Sequence, residues 1–125
     1  MAALTEPMNL GDVLKYEAPN LYSRERITVA SGQNLLLGTV VGLVTASGHY
    51  KQVDPSADDG SQVAVAVLLQ DCDASRAERQ DGLAVARHAI VAEHALIWPE
   101  AMTLTERALA MAQLKALGVL VRQGA

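Results

Sequence analysis

Apolar and polar positions show no sustained period of either 3.6 or 2 from Met1 to Asn20, where Pro7, Gly11 and Pro19 interrupt scattered apolar residues. This segment, residues 1–20, is expected to be an extended arm outside the core, with residues 21–125 forming a single β-rich domain. Within the arm, Asp12-Val13-Leu14-Lys15-Tyr16-Glu17 has the composition of a short strand that could pair with an open sheet edge. From Tyr22 alternation begins. Arg24, Arg26 and Thr28 fall on one face of an extended chain and Glu25, Ile27 and Val29 on the other, before the turn residues Ser31-Gly32-Gln33-Asn34. The run from Leu35 to Thr45 is β-branched and punctuated by Gly38 and Gly42, which suits strands that bend or approach another backbone closely. Ala46-Ser47-Gly48-His49 makes the next turn, and after Tyr50 to Val53 comes a polar loop from Asp54 to Gly60.

Val63-Ala64-Val65-Ala66-Val67-Leu68-Leu69 is apolar at every position, so as a strand it must bury both faces, in a two-sided core or against a neighbouring subunit. Asp71 to Gly82 reads as a charged loop and Leu83 to Val91 as one uneven strand. Thr103 and Glu106 have capping-box spacing, and the residues to Leu117 favour a helix that ends near Gly118. Leu104, Ala108 and Met111 share one face of that helix, but Lys115 falls inside the stripe while Leu109 and Leu117 lie outside it. Such a helix surface either tolerates exposed Ala and Leu or touches more than one neighbour, which leans toward oligomerisation. Val119 to Val121 should form a last strand. The fold class is therefore mainly β with one C-terminal helix.

With 125 residues, one domain with one core is the default. Half the residues are hydrophobic, yet there is no Phe, one Trp and three Tyr, so the core must be aliphatic. A net charge of −4 and few aromatic side chains argue against direct binding of nucleic acid. The longest uncharged stretch, Leu35 to Tyr50, is shorter than the roughly 20 residues of a spanning helix and holds three glycines, so no membrane is expected. No secretory signal is visible after Met1, and synthesis in a cytoplasm is expected.

Candidate chemistry is sparse. Cys72 lies between Asp71 and Asp73, whose charges raise a thiol pKa and oppose nucleophilic use. His88 and His94, with Glu93, lack the i, i+4 spacing of a helical metal pair. Asp54, Asp58 and Asp59 lack the alternating ligands and twelfth-position Glu of a calcium loop. Lys51 is beside a turn rather than at the hairpin tip that a biotinyl or lipoyl carrier requires. Neither a nucleophile elbow nor a phosphate loop occurs, so an enzyme is not expected and no cofactor or metal is called for. The single Trp, in Ile97-Trp98-Pro99-Glu100, is read as a packing anchor beside Pro99, with an interface role as the alternative.

Three features in order carry a resemblance. They are the Asp59-Gly60 turn leading into Val63 to Leu69, then Ile97-Trp98-Pro99-Glu100, then a C-terminal helix followed by a short apolar strand. With them, nearly the whole chain resembles the phage lambda type head decoration proteins, and Tyr16-Glu17-Ala18-Pro19 and Tyr22-Ser23-Arg24-Glu25 look like prophage members of that group. Ala66 stands where the family pattern has Gly, and Ile97 where it has Leu. The resemblance implies a β-clip-like domain that assembles as homotrimers on the outside of an expanded phage head and stabilises it against internal DNA pressure. It also implies that the arm orders on the virion by adding a strand to the major capsid protein, which assigns capsid binding to Leu10, Gly11, Asp12, Val13, Leu14, Lys15 and Tyr16. The competing expectation is a small β-clip or SAF-like ligand-binding module, which would show a concave site with convergent polar groups.

Overall fold

Two kinds of burial organise the molecule, described over residues 9–123 in a computed structural model. The chain runs α1 (Leu10–Val13), β1 (Leu14–Glu17), β2 (Arg24–Val29), β3 (Gln33–Leu35), β4 (Val40–Val44), β5 (His49–Gln52) and β6 (Ala64–Leu68). It continues through β7 (Cys72–Ala74), β8 (Arg79–Val85), β9 (Ala89–Ala92), α2 (Leu104–Ala116) and β10 (Val119–Arg122). Five strands close a barrel in the order β2-β5-β4-β6-β8, a three-stranded sheet has the order β1-β9-β10, and β3 pairs with β7. The molecule is mainly β with one long C-terminal helix, as the patterning indicated.

The wholly apolar run before the charged segment explains the layout. Ala66 and Leu68 of β6 join Val41, Ala84, Ile27 and Val29 inside the barrel, whereas Ala64 and Val67 join Val40, Val85, Val91 and Leu114 in a second cluster between barrel, sheet and α2. The expected single core is thus two, and β6 is the wall between them. A strand with core on both sides needs no polar face. Gly42 allows β4 to pass close to the next layer, because a Cβ there would collide with the main chain of Ser61.

Two segments differ from expectation. The charged stretch from Asp71 to Gly82 contains β7 and the start of β8, paired with β3 and β2; in β7 buried Cys72 and Ala74 flank exposed Asp73, an alternation only three residues long. Leu83 to Val91 is two strands, since the chain turns at His88, which adopts φ +47°, before entering β9. The helix forms as its cap demands: the Thr103 hydroxyl accepts from the Glu106 N–H and the Glu106 carboxylate accepts from the Thr103 N–H. Ala110 and Leu114 are its buried contacts, and Gln113 Oε1 accepts from the Ala64 N–H at 2.8 Å, which ties α2 to the start of β6.

The largest correction concerns the N-terminal segment. Residues 1–8 lie outside the described part of the chain, but from Asn9 onward the segment is folded onto its own subunit. Asn9 caps α1 reciprocally with Asp12, and Val13 is fully buried in the second core beside Gly38 and Ala95. β1 pairs antiparallel with β9, Leu14 opposite Val91 and Tyr16 opposite Ile90. An extended arm outside the core does not describe Leu10 to Glu17. The physical reason is that Leu10, Val13 and Leu14 present one apolar edge that β9 can cover.

Candidate interaction surface

The segment Leu10 to Tyr16 is anchored from three sides. Beyond the burial of Val13, Lys15 Nζ donates to the Gly11 carbonyl at 2.7 Å, and at the end of β1 Glu17 receives a two-pronged contact from Arg24 at 2.7 and 2.8 Å. The hydrogen bond from Arg24 holds the Glu17 carboxyl below its ordinary range. Ser23, fully buried, accepts from the Ala18 N–H and donates to the His88 carbonyl, joining the segment to the turn between β8 and β9. What remains open to solvent is the outer side of the segment: Lys15 is exposed and Tyr16 is 54% exposed, on a strand that forms one border of its sheet.

Around this border lie further apolar groups, some exposed and some half-buried. Tyr16, Ile90 and Leu120 form a cross-strand row, since Tyr16 and Leu120 both pair with Ile90. Leu21 and Tyr22 are exposed nearby in sequence, and Tyr22 packs on His88 with ring centres 5.2 Å apart while Arg87 sits 5.4 Å over the Tyr22 ring. His88 is therefore part of this surface cluster.

A second uncovered region follows α2. Its exposed positions are Leu104, Thr105, Ala108, Leu109, Ala112, Lys115 and Ala116, of which only Lys115 is charged. Leu104 is 80% exposed. Along one side of the helix Met111 joins two shallow grooves, one reaching Trp98, Glu93 and Arg107, the other reaching Lys115, Val121 and Arg122. The Arg107 Nε is buried there without a hydrogen-bond partner. Trp98 is half-buried and packs against the second core from the edge of this groove, and Pro99 borders a separate depression with Glu100 and Asp54.

The candidate chemical groups are not brought together. Cys72 is buried in the barrel, where burial first and the Asp81 charge second push its thiol pKa up. His94 is exposed on the short turn Glu93–Ala95, away from the Tyr22 and His88 cluster in sequence and strand. Asp59 is occupied by the Ser61 hydroxyl and N–H and by Lys51 at 3.1 Å, contacts that lower its pKa to about 2. Lys51 is thus an ion-pair partner on β5. Among the described residues no three His, Cys, Asp or Glu side chains gather as a metal site, and no helix is long and apolar enough to cross a membrane.

Sequence reasoning missed that Val13 is core and that the uncovered surface extends to Tyr22, His88 and Leu120. A signal for the first was present in the spacing of Leu10, Val13 and Leu14 behind a capping Asn9. The second depends on which strands neighbour each other, which local pattern does not carry.

Compared with known families, the chain matches the model described as Bacteriophage lambda head decoration protein D over residues 3–119. No curated protein matches it.

Proposed function

Because the chain belongs to the Bacteriophage lambda head decoration protein D family, we propose that it binds as a homotrimer to the outside of the expanded phage head and stabilises it against internal DNA pressure. The observation that carries this reading is the family match over nearly the whole chain. A capsid decoration role and a place in the virion follow from the family itself. The finer reading adds the trimer, the major capsid protein as partner and the outer surface as the location.

The surface is consistent with structural work. Tyr16, Leu21 and Tyr22 are exposed close to one another in sequence, as are Leu104 and Leu109 along α2, and uncovered apolar groups that gather in this way favour association. Attachment through Leu10, Gly11, Asp12, Val13, Leu14, Lys15 and Tyr16 takes a different form from the one their sequence suggested. In the proposed mode Val13 stays in its core and holds the segment in place, while the free edge of β1 and the exposed Tyr16 meet the capsid protein. Trp98 and Pro99 act as packing supports. Three copies engaging together raise the apparent affinity of a small contact by about two orders of magnitude or more.

Co-sedimentation of the purified protein with empty expanded heads tests the reading. Saturable binding is expected, with bound heads surviving a thermal or chemical challenge that disrupts bare ones. Failure to bind, or binding without any gain in head stability, overturns it. Tyr16→Asp should weaken head binding while leaving the melting temperature close to that of the unmodified chain; full binding by that variant would remove β1 from the contact.

A further inference from the structure

We propose that the open edge of β10 is a docking site for an acidic peptide in extended form, which adds a strand there and sets two carboxylates, four residues apart, against Lys115 and Arg107 of α2. The inference stands apart from head binding, since it calls on neither β1 nor the trimer.

The sheet order β1-β9-β10 leaves β10 paired on one side only. Among the described residues, no backbone hydrogen bond of Val119 to Arg122 reaches any strand but β9. A strand with a bare row of donors and acceptors is a template for another extended chain. Val119, Leu120 and Val121 are apolar and only Arg122, at the end of β10, is charged, so the edge carries little that would turn a partner away.

α2 packs on β10, and the groove between them is lined by Met111, Ala112 and Lys115 from the helix and by Leu120, Val121 and Arg122 from the strand. Past Met111 it continues to Arg107, Leu104 and Trp98. Spacing sets the pattern a partner must have. Lys115, Met111 and Arg107 follow one another at every fourth position of α2, about 6 Å apart along the axis. Alternate residues of an extended strand share one face and lie about 6.6 Å apart. A strand laid beside the helix therefore offers positions i, i+2 and i+4 to Lys115, Met111 and Arg107 in turn, in either chain direction. The middle position meets a thioether and calls for an apolar side chain.

Charge selects carboxylates for the outer two positions. The protein as a whole has a net charge of −4, yet Arg107, Lys115 and Arg122 all line the joined grooves. None of the three makes an ion pair among the described residues, whereas Arg24, Lys51, Arg79 and Arg87 each do. Glu93 is the one carboxylate on these walls and His94 the one histidine. Arg107 Nε is buried with no acceptor, a condition that an incoming carboxylate relieves with a charge-assisted bond.

Fluorescence anisotropy of the full-length chain with a dye-labelled, end-capped peptide, Ser-Glu-Thr-Val-Thr-Glu-Ser, tests the site. Saturable binding is expected. The same residues reordered as Ser-Glu-Val-Thr-Glu-Thr-Ser put the carboxylates on opposite faces and should bind about tenfold more weakly. Arg107→Gln and Lys115→Gln should each weaken binding of the first peptide about tenfold with the melting temperature little changed, and amide exchange within β10 should slow when that peptide binds. Equal binding of the two peptides overturns the spacing, and binding that leaves exchange in β10 unchanged overturns strand addition. Displacement by inorganic phosphate at the concentration of the peptide overturns the peptide as occupant in favour of a bare anion. Lack of saturation, the result if another copy of the chain already fills the groove, overturns the site itself. Expanded heads play no part in these measurements, so each of these results leaves the head-binding reading where it stands.

Discussion

Val13 decides how the first twenty residues are understood. Its side chain has no exposure and sits among Leu37, Ala95 and Val91, so Val13→Ala should lower unfolding free energy by about 2 kcal/mol, read from urea denaturation. An arm free of the domain would give no change. Gly42 makes a comparable commitment in the barrel: Gly42→Ala pushes a methyl into the Ser61 main chain and should cost on the order of 3 kcal/mol by the same measurement. Carboxylates set the acid side of stability. Asp59 titrates at about 2 in the folded protein against an ordinary 3.8, and Glu17 is also lowered from 4.5 by Arg24. Folded pKa values below the unfolded ones mean that their contribution is complete above about pH 5 and is lost as pH falls through the folded values. Asp59→Asn should therefore flatten the fall in melting temperature between about pH 4 and pH 2; an unchanged slope would show that the Ser61 and Lys51 contacts do not hold the folded loop.

Elements were legible in the sequence to the extent that local chemistry fixes them. The reciprocal cap of Thr103 and Glu106 marks the start of α2 in both sequence and structure, and Thr103→Ala should cost about 1 kcal/mol in thermal unfolding. The run from Ala64 to Leu68 announced a strand buried on both faces, which β6 fulfils by dividing two cores. What local pattern could not carry was pairing. β7 is announced only by Cys72 and Ala74 on either side of Asp73, and its place is set by its register with β3, Leu35 opposite Cys72. β1 looked like a strand in search of a sheet, and its sheet proves to include β9 of its own subunit, nearly eighty positions away in sequence. The left-handed turn at His88, with no glycine or proline to mark it, likewise hid the break between β8 and β9.

At the scale of the molecule, the small barrel, the sheet and α2 make a scaffold whose uncovered apolar groups lie at the border of β1 and along the helix. Sequence patterning found the class of fold and the helix with too little charge on its outer face, while the placement of the N-terminal segment required the sheet. Electron cryomicroscopy of expanded heads mixed with saturating protein tests the central claim most directly. The account expects three-lobed density added on the outer surface at local three-fold positions, with the β1 edge against the shell. Heads that remain bare at saturation, or density confined to the inside, would contradict it.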